Sequence, residues 1–361
     1  MSDTANLIFV PKQEHGLLVD SLDQLLSEQV LSKDGWRPLW QQLAQAGILS
    51  AALPESEGGL QDSRALALLA DRLGRSGAIS PFISSAVAAT ALLGRMSGAK
   101  RFAQLREDLG SGSAIAAVHI VDASQGELGA ITLIDGELNG VARLVPFGAE
   151  ADFIVMRATG KDGEPVLLLV SKSDVTVEQS VIGIDDASYA TLRLDHVPLQ
   201  PGAELARGAE AEALIAWGRD LLVTMHCAEA LGAMSMLVDM TRDYLKVRHQ
   251  FGEPLSAFQV LRHRLADMDM ALTEARSVVE CAAGLIEEDD ASARRQIVMT
   301  THFTVARAAL KVSQDSVQLH GGIGMANETP VGGYFRRLMT LPLLFGDEDV
   351  CAELYSAMVK T

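Results

Sequence analysis

The sequence predicts an α+β protein laid out as a helical domain, a central β-barrel or sandwich, and a bundle of long helices. Two observations carry this. Apolar residues recur at three- and four-residue steps up to about residue 110, then in short alternating runs to about 203, then at helical steps again to the end. No internal repeat or low-complexity segment interrupts that order. The predicted division is 1–110, 111–203 and 204–361.

In the first part, "LVDSLDQLL" and "PLWQQLAQAGIL" carry one apolar stripe each, and "ALALLADRLGRSG" ends in a helix-stopping glycine. "SPFISSAVAATALLGRM" is small and apolar almost all round, the composition of a buried helix. "PESEGGL" (54–60) is turn chemistry. The middle part holds "AIAAVHIV", "GAITLIDGELNGVARLV", "ADFIVMRATG", "EPVLLLVSK", "VTVEQSV" and "ATLRLDHV", with "DGELNG" as a hairpin signal. Three long helical patterns follow. One of them places Leu261, Leu265, Met268, Leu272, Ala275 and Val279 on a single stripe. With a shorter last helix they form a bundle whose stripes serve both a core and a subunit contact.

At 361 residues and 48% hydrophobic composition the chain can bury a core larger than one small domain needs. A formal charge of −17 repels phosphate backbones and anionic headgroups, which argues against nucleic-acid and membrane-surface partners. Cys227, Cys281 and Cys351 are odd in number and widely spaced, so neither a disulfide framework nor a zinc site is expected, and the setting expected is cytoplasmic. The first fifteen residues show no signal peptide, and no apolar run has the length of a membrane span.

Two loops are richer than packing requires. In "VRHQFGEPLSAFQVLRHRLADM", Arg248 precedes Phe251 and Gly252, so a tight turn lies beside a planar cation suited to pyrophosphate and a ring suited to a heterocycle. In "QLHGGIGMANETPVGGYFRRL", a helix runs into Gly321, Gly322 and Gly324, which permit close backbone approach to a ligand. Either loop alone reads as an ordinary helix C-cap. Together, and with "LWQQLAQAGILSAALPESEGGL" and the "AEALGAM" helix, they resemble the acyl-CoA dehydrogenase family over nearly the whole chain.

That resemblance implies FAD as cofactor, an acyl-CoA thioester as substrate oxidised to its 2,3-enoyl form, and electron-transfer flavoprotein as acceptor. It also implies a dimer or tetramer in which one subunit holds the flavin ring and its neighbour clamps the pyrophosphate and adenosine. The residues matching the clamp are Arg248, Phe251, Gly252 and Gln259, with Gln318, Gly321 and Gly322 on the second loop. The flavin-side pattern differs: Leu144, Val145 and Pro146 stand where the family has Trp-Ile-Thr, and proline has no N–H to offer a flavin edge.

The family's reaction needs a carboxylate to take the α-proton. Aligning "LLFGDEDV" through Gly346 puts Phe345 at the usual position of that Glu, and Leu222 occupies the alternative position on a bundle helix. Asp220 and Asp347 are the remaining weak alternatives; Asp220 lies about half a turn from Leu222 and so on another face. Asp347, Glu348 and Asp349 read instead as the opening of a helix over 348–360, with Asp347 as N-cap and Lys360 at its negative end. His320 reads as a helix-end hydrogen bonder. His226, His249 and His263 read as helical residues without carboxylate partners at ligand spacing, so no metal is expected. The Arg336–Arg337 pair is the basic pair best suited to meet an anion.

Three readings remain open. The chain resembles the small, Glu-lacking subunits of the pimeloyl-CoA dehydrogenase type, in which a Glu-bearing partner in a heterotetramer takes the proton. The alternatives are an acyl-CoA- or flavin-binding interaction protein without catalysis, or a homo-oligomeric dehydrogenase with a displaced base.

Overall fold

The computed structural model describes residues 13–27, 35–120, 129–326 and 329–345. They are α+β: helices, then a sheet, then long helices. The chain forms two compact units, one of Ser32–Leu66 and Ile79–Leu222, the other of Met1–Leu31, Ala67–Ala78 and Val223–Thr361.

In the first unit, α2 (Arg37–Gln45) turns Leu39, Trp40 and Leu43 into the core. The segment Phe82–Ala89 is buried at every position, as its composition predicts, but winds as a π-helix before α4 (Thr90–Arg95). Ser85 accounts for the wider turn: its carbonyl accepts from Thr90 Oγ1 and its hydroxyl accepts from the Ala116 backbone N–H. Arg106 on α5 (Ala103–Gly110) is 2% exposed and pairs with Glu57 while donating to the carbonyls of Leu93 and Ala99.

The strands of this unit form one eight-stranded sheet. Its order is β6 (Thr176–Ile182), β7 (Ser188–Pro198), β3 (Glu137–Pro146), β2 (Ile131–Ile134), β4 (Phe153–Gly160), β5 (Pro165–Ser171) and β8 (Glu204–Arg207). β1 (Ala116–His119) pairs parallel with β4, as does β2. β5 takes one edge of β4 from Phe153 to Thr159, so β1 and β2 share the other edge in succession. The predicted hairpin sits at Asp135–Gly136, both with positive φ, the conformation a two-residue turn between strands demands.

In the second unit, α1 (Gln13–Ser27) and the later part of α3 (Ser63–Ser76) join four helices of the C-terminal region. These are α6 (Gly208–Val247, from Val223 onward), α7 (Gln259–Leu285), α8 (Ala291–His320) and α9 (Val331–Phe345). α3 and α6 pass backbone to backbone. A Cβ on Gly74 would lie 1.9 Å from the Glu229 carbonyl oxygen, and one on Gly232 would lie 1.8 Å from that of Asp71. The stripe predicted on α7 is buried or half-buried throughout. Asp290 caps α8 by accepting from the Ser292 and Ala293 N–H groups.

Residues Val331–Leu338, read from their glycines as part of a loop, belong to α9. Packing of Val331, Tyr334, Leu338 and Leu341 overrides the weak local propensity. The expected helix 348–360, with Asp347, Glu348 and Asp349, lies outside the described residues. Among the described residues one helix, α6, is apolar and long enough to cross a membrane, and 72% of its apolar window is buried inside the protein.

Candidate functional site

The first loop leaves α6 at Arg248, whose N–H still donates to the Tyr244 carbonyl. His249–Gln250 (β9) and Glu253–Pro254 (β10) then pair as a minimal hairpin around Phe251 and Gly252, so His249 lies on a strand and not on a helix. Phe251 has φ of 56° and Gly252 of 85°. A left-handed Phe is strained by roughly 1–3 kcal/mol, and this one is 91% exposed, its ring meeting only the edge of Phe258 at 6.1 Å. Arg248 is exposed and forms no ion pair with the described residues. Gln259 opens α7, its amide 3.4 Å from His263.

The second loop leaves α8 at His320. Gly321 takes φ of 64° and donates to the Gln318 carbonyl, and neither Gly321 nor Gly322 has an atom within 4 Å of a would-be Cβ. The two loops start side by side. Tyr244 stacks on His320 at 4.5 Å and donates to its carbonyl, and Thr241 bonds Ser316 one turn back. His320 Nδ1 lies 2.8 Å from the Ser316 carbonyl, the helix-end role read from sequence, and burial pushes its pKa down against that bond. A free guanidinium, an exposed ring, two amides and bare glycine backbone thus share one end of the bundle. This donor set fits a pyrophosphate joined to flat heterocycles.

A second cluster surrounds Phe345, the last residue of α9. Its ring centroid lies 5.5 Å from that of His226 on α6 and 5.9 Å from that of His302 on α8. His226 Nδ1 is 3.6 Å from the Glu229 carboxylate, so the expectation that His226 lacks a carboxylate partner is corrected. The signal was present in the three-residue spacing of the two on one helix. Arg337 pairs with Glu229 and also donates to the Ala78 carbonyl at 2.6 Å. Of the Arg336–Arg337 pair, Arg337 is therefore committed inside the fold. Burial opposes the charge of Glu229, but Arg337 and His226 outweigh it and hold its carboxyl below the usual range. Asp220 is 1% exposed. No cluster among the described residues could hold a metal ion.

Residues 217–359 match the family model described as acyl-CoA dehydrogenase, C-terminal domain. Acyl-CoA dehydrogenase FadE27 of Mycobacterium tuberculosis is 28% identical over 340 residues, 89% of this chain and 85% of that protein. Over residues 217–359 the chain is similar to the C-terminal domain of acyl-CoA dehydrogenases, and over most of its length to FadE27. Its fold matches a chain of the ChsE4-ChsE5 complex from Mycobacterium tuberculosis, with TM-score 0.87 and 24% identity over 98% of this chain and 99% of that one. It also matches a Tcur3481-Tcur3483 steroid ACAD variant, with TM-score 0.86 and 26% identity over 96% and 98% of the two chains.

At Leu144–Pro146, where the sequence differs from the Trp-Ile-Thr pattern of the family that it resembles, the backbone is irregular as well. Leu144 takes φ of 53° at a break in register between Ala142 and Val145, with its side chain 55% exposed. Val145 is buried, and Pro146 ends β3 opposite Tyr189. Phe147 follows with φ of 53° and its ring edge against Trp36.

Proposed function

We propose that this chain is the small subunit of a heteromeric, FAD-dependent acyl-CoA dehydrogenase. A Glu-bearing partner takes the α-proton, and this chain clamps the pyrophosphate and adenosine of the partner's FAD. What supports this reading is the exposed Arg248, the exposed Phe251 ring and the open backbone of Gly321 and Gly322 at one end of the bundle, together with Phe345 at the position that the resemblance gives to the base. Support comes from the similar solved structures, which include the ChsE4-ChsE5 complex and a Tcur3481-Tcur3483 steroid ACAD variant. The division into domains 1–110, 111–203 and 204–361 is part of the same proposal.

A bound FAD would supply the hydride-accepting group for oxidation of the thioester at its β-carbon. Arg248 would hold the pyrophosphate through its two-pronged guanidinium, Phe251 would cover a ring, and the open backbone at Gly252, Gly321 and Gly322 would admit the phosphates closely. Gln259 and Gln318 would supply amide hydrogen bonds. On the flavin side the residues do not fit as well, since Pro146 offers no N–H. Electrons would leave to electron-transfer flavoprotein.

The test is to co-purify the chain with a Glu-bearing relative and compare flavin retained after gel filtration for wild type and Arg248→Ala. Loss of most flavin with unchanged helicity is expected. Undiminished flavin in the variant would remove the clamp from this loop.

A further inference from the structure

His226 on α6 lies beside Phe345, the residue at the position that the resemblance gives to the family's base. Leu222, the alternative position, is four residues earlier on α6 and so on the same helix face. Phe345, the usual position, has its ring 5.5 Å away. Neither residue can take a proton, yet the imidazole beside them can. Its Nδ1 faces Glu229, whose charge is kept by Arg337, and Arg337 is anchored in turn to the Ala78 carbonyl. A carboxylate on Nδ1 orients the ring with Nε2 as the free lone pair, the arrangement a neutral general base requires. At 3.6 Å the His226–Glu229 contact is loose, and such contacts commonly tighten only when substrate is present. The Phe345 ring covers one side of the imidazole and packs in turn on the His302 ring, while the His226 side chain keeps 24% of its surface exposed, so that a ligand can reach it.

We propose that His226 is a proton acceptor toward the α-carbon of an acyl-CoA thioester bound to this chain. This rests on the family reading in taking a thioester as the ligand and Phe345 and Leu222 as the base positions, and it needs no flavin. The α-C–H bond breaks, its electron pair passes into the thioester as an enolate, and the proton goes to Nε2. The same proton, or one exchanged with solvent, returns to the α-carbon. No oxidant takes part. The reaction is enolisation, in a chain whose flavin-side strand departs from the family at Leu144–Pro146.

The full-length chain, incubated in D2O with phenylacetyl-CoA, should incorporate deuterium at the α-carbon faster than buffer does, as followed by mass spectrometry. His226→Ala should lower that rate by about 10²-fold. Added imidazole should restore part of it in His226→Ala and change nothing in wild type, an outcome that a merely structural role does not produce. His226→Gln, closer in volume, serves as the second variant should the alanine chain melt early, and it too should lose exchange. Titration calorimetry with the same thioester separates the two readings. Binding without exchange, or exchange undiminished in both variants, overturns the base assignment alone. Absence of binding overturns it together with the thioester ligand.

Discussion

Arg106 uses its whole guanidinium on Glu57 and two carbonyls, all within the N-terminal helices and turns. Arg106→Ala leaves those acceptors without a donor, and since Glu57 is 27% exposed the expected loss is about 2–3 kcal/mol, below that for a fully buried pair. A urea midpoint shifted at constant slope would check it. His119, at the end of the wholly buried β1, has its pKa pushed down by burial to about 4 from 6.5. The unfolded state therefore binds the extra proton first. Stability is complete above about pH 6.5 and falls as pH drops toward 4, by roughly 3 kcal/mol in all from this one group. His119→Leu should flatten that limb of the stability profile between pH 7 and 4.5. A melting curve for the variant that falls as steeply with acid as the wild type's would assign the sensitivity elsewhere.

Among elements, the α3–α6 crossing depends on two glycines placed three residues after Asp71 and Glu229, whose carbonyls they meet. Backbone cannot yield as a flexible side chain can. Gly232→Ala should thus cost about 3 kcal/mol or more, at the upper end of overpacking effects. Gly322→Ala, with nothing within 4 Å, should change stability by no more than about 0.5 kcal/mol. Equal unfolding midpoints for the two variants would refute the close approach. The run "AEALGAM" entered the sequence reading only as part of the family resemblance, and the backbone approach that its glycine admits was not legible there. The Phe251 hairpin is the opposite case. Its turn could be read from Phe-Gly after a long helix, and the structure added the left-handed strain.

For the molecule as a whole, Val247 (73% exposed), Phe251 and Val260 (64%) around the first loop, with Ile323 (44%) and Met325 (59%) on the second, leave apolar side chains in water beside the free Arg248. Single exposed apolar residues are ordinary, but five flanking one pair of loops mark a contact surface. The chain is accordingly expected to be an oligomer, alone or with its partner. Sedimentation at micromolar concentration should show no stable monomer, and Phe251→Ser should weaken the assembly. A monodisperse monomer would count against a shared cofactor site.

By itself the sequence determined the α+β class, the order of helices, sheet and helices, and the two glycine-bearing turns at Arg248–Gly252 and Gln318–Gly322 proposed above as a clamp. Periodicity and turn chemistry are local, and each loop lies within one short stretch of chain. Only the tertiary structure decided that β1 and β2 both run parallel to β4, that Tyr244 on His320 brings the two loops to one end of the bundle, and that Arg337 serves Glu229. It also gathered His226, Glu229, His302 and Phe345, which come from three helices and as many as 119 residues apart in number between His226 and Phe345. No spacing rule along the chain encodes such a meeting, because it is set by how the helices pack and not by any one of them.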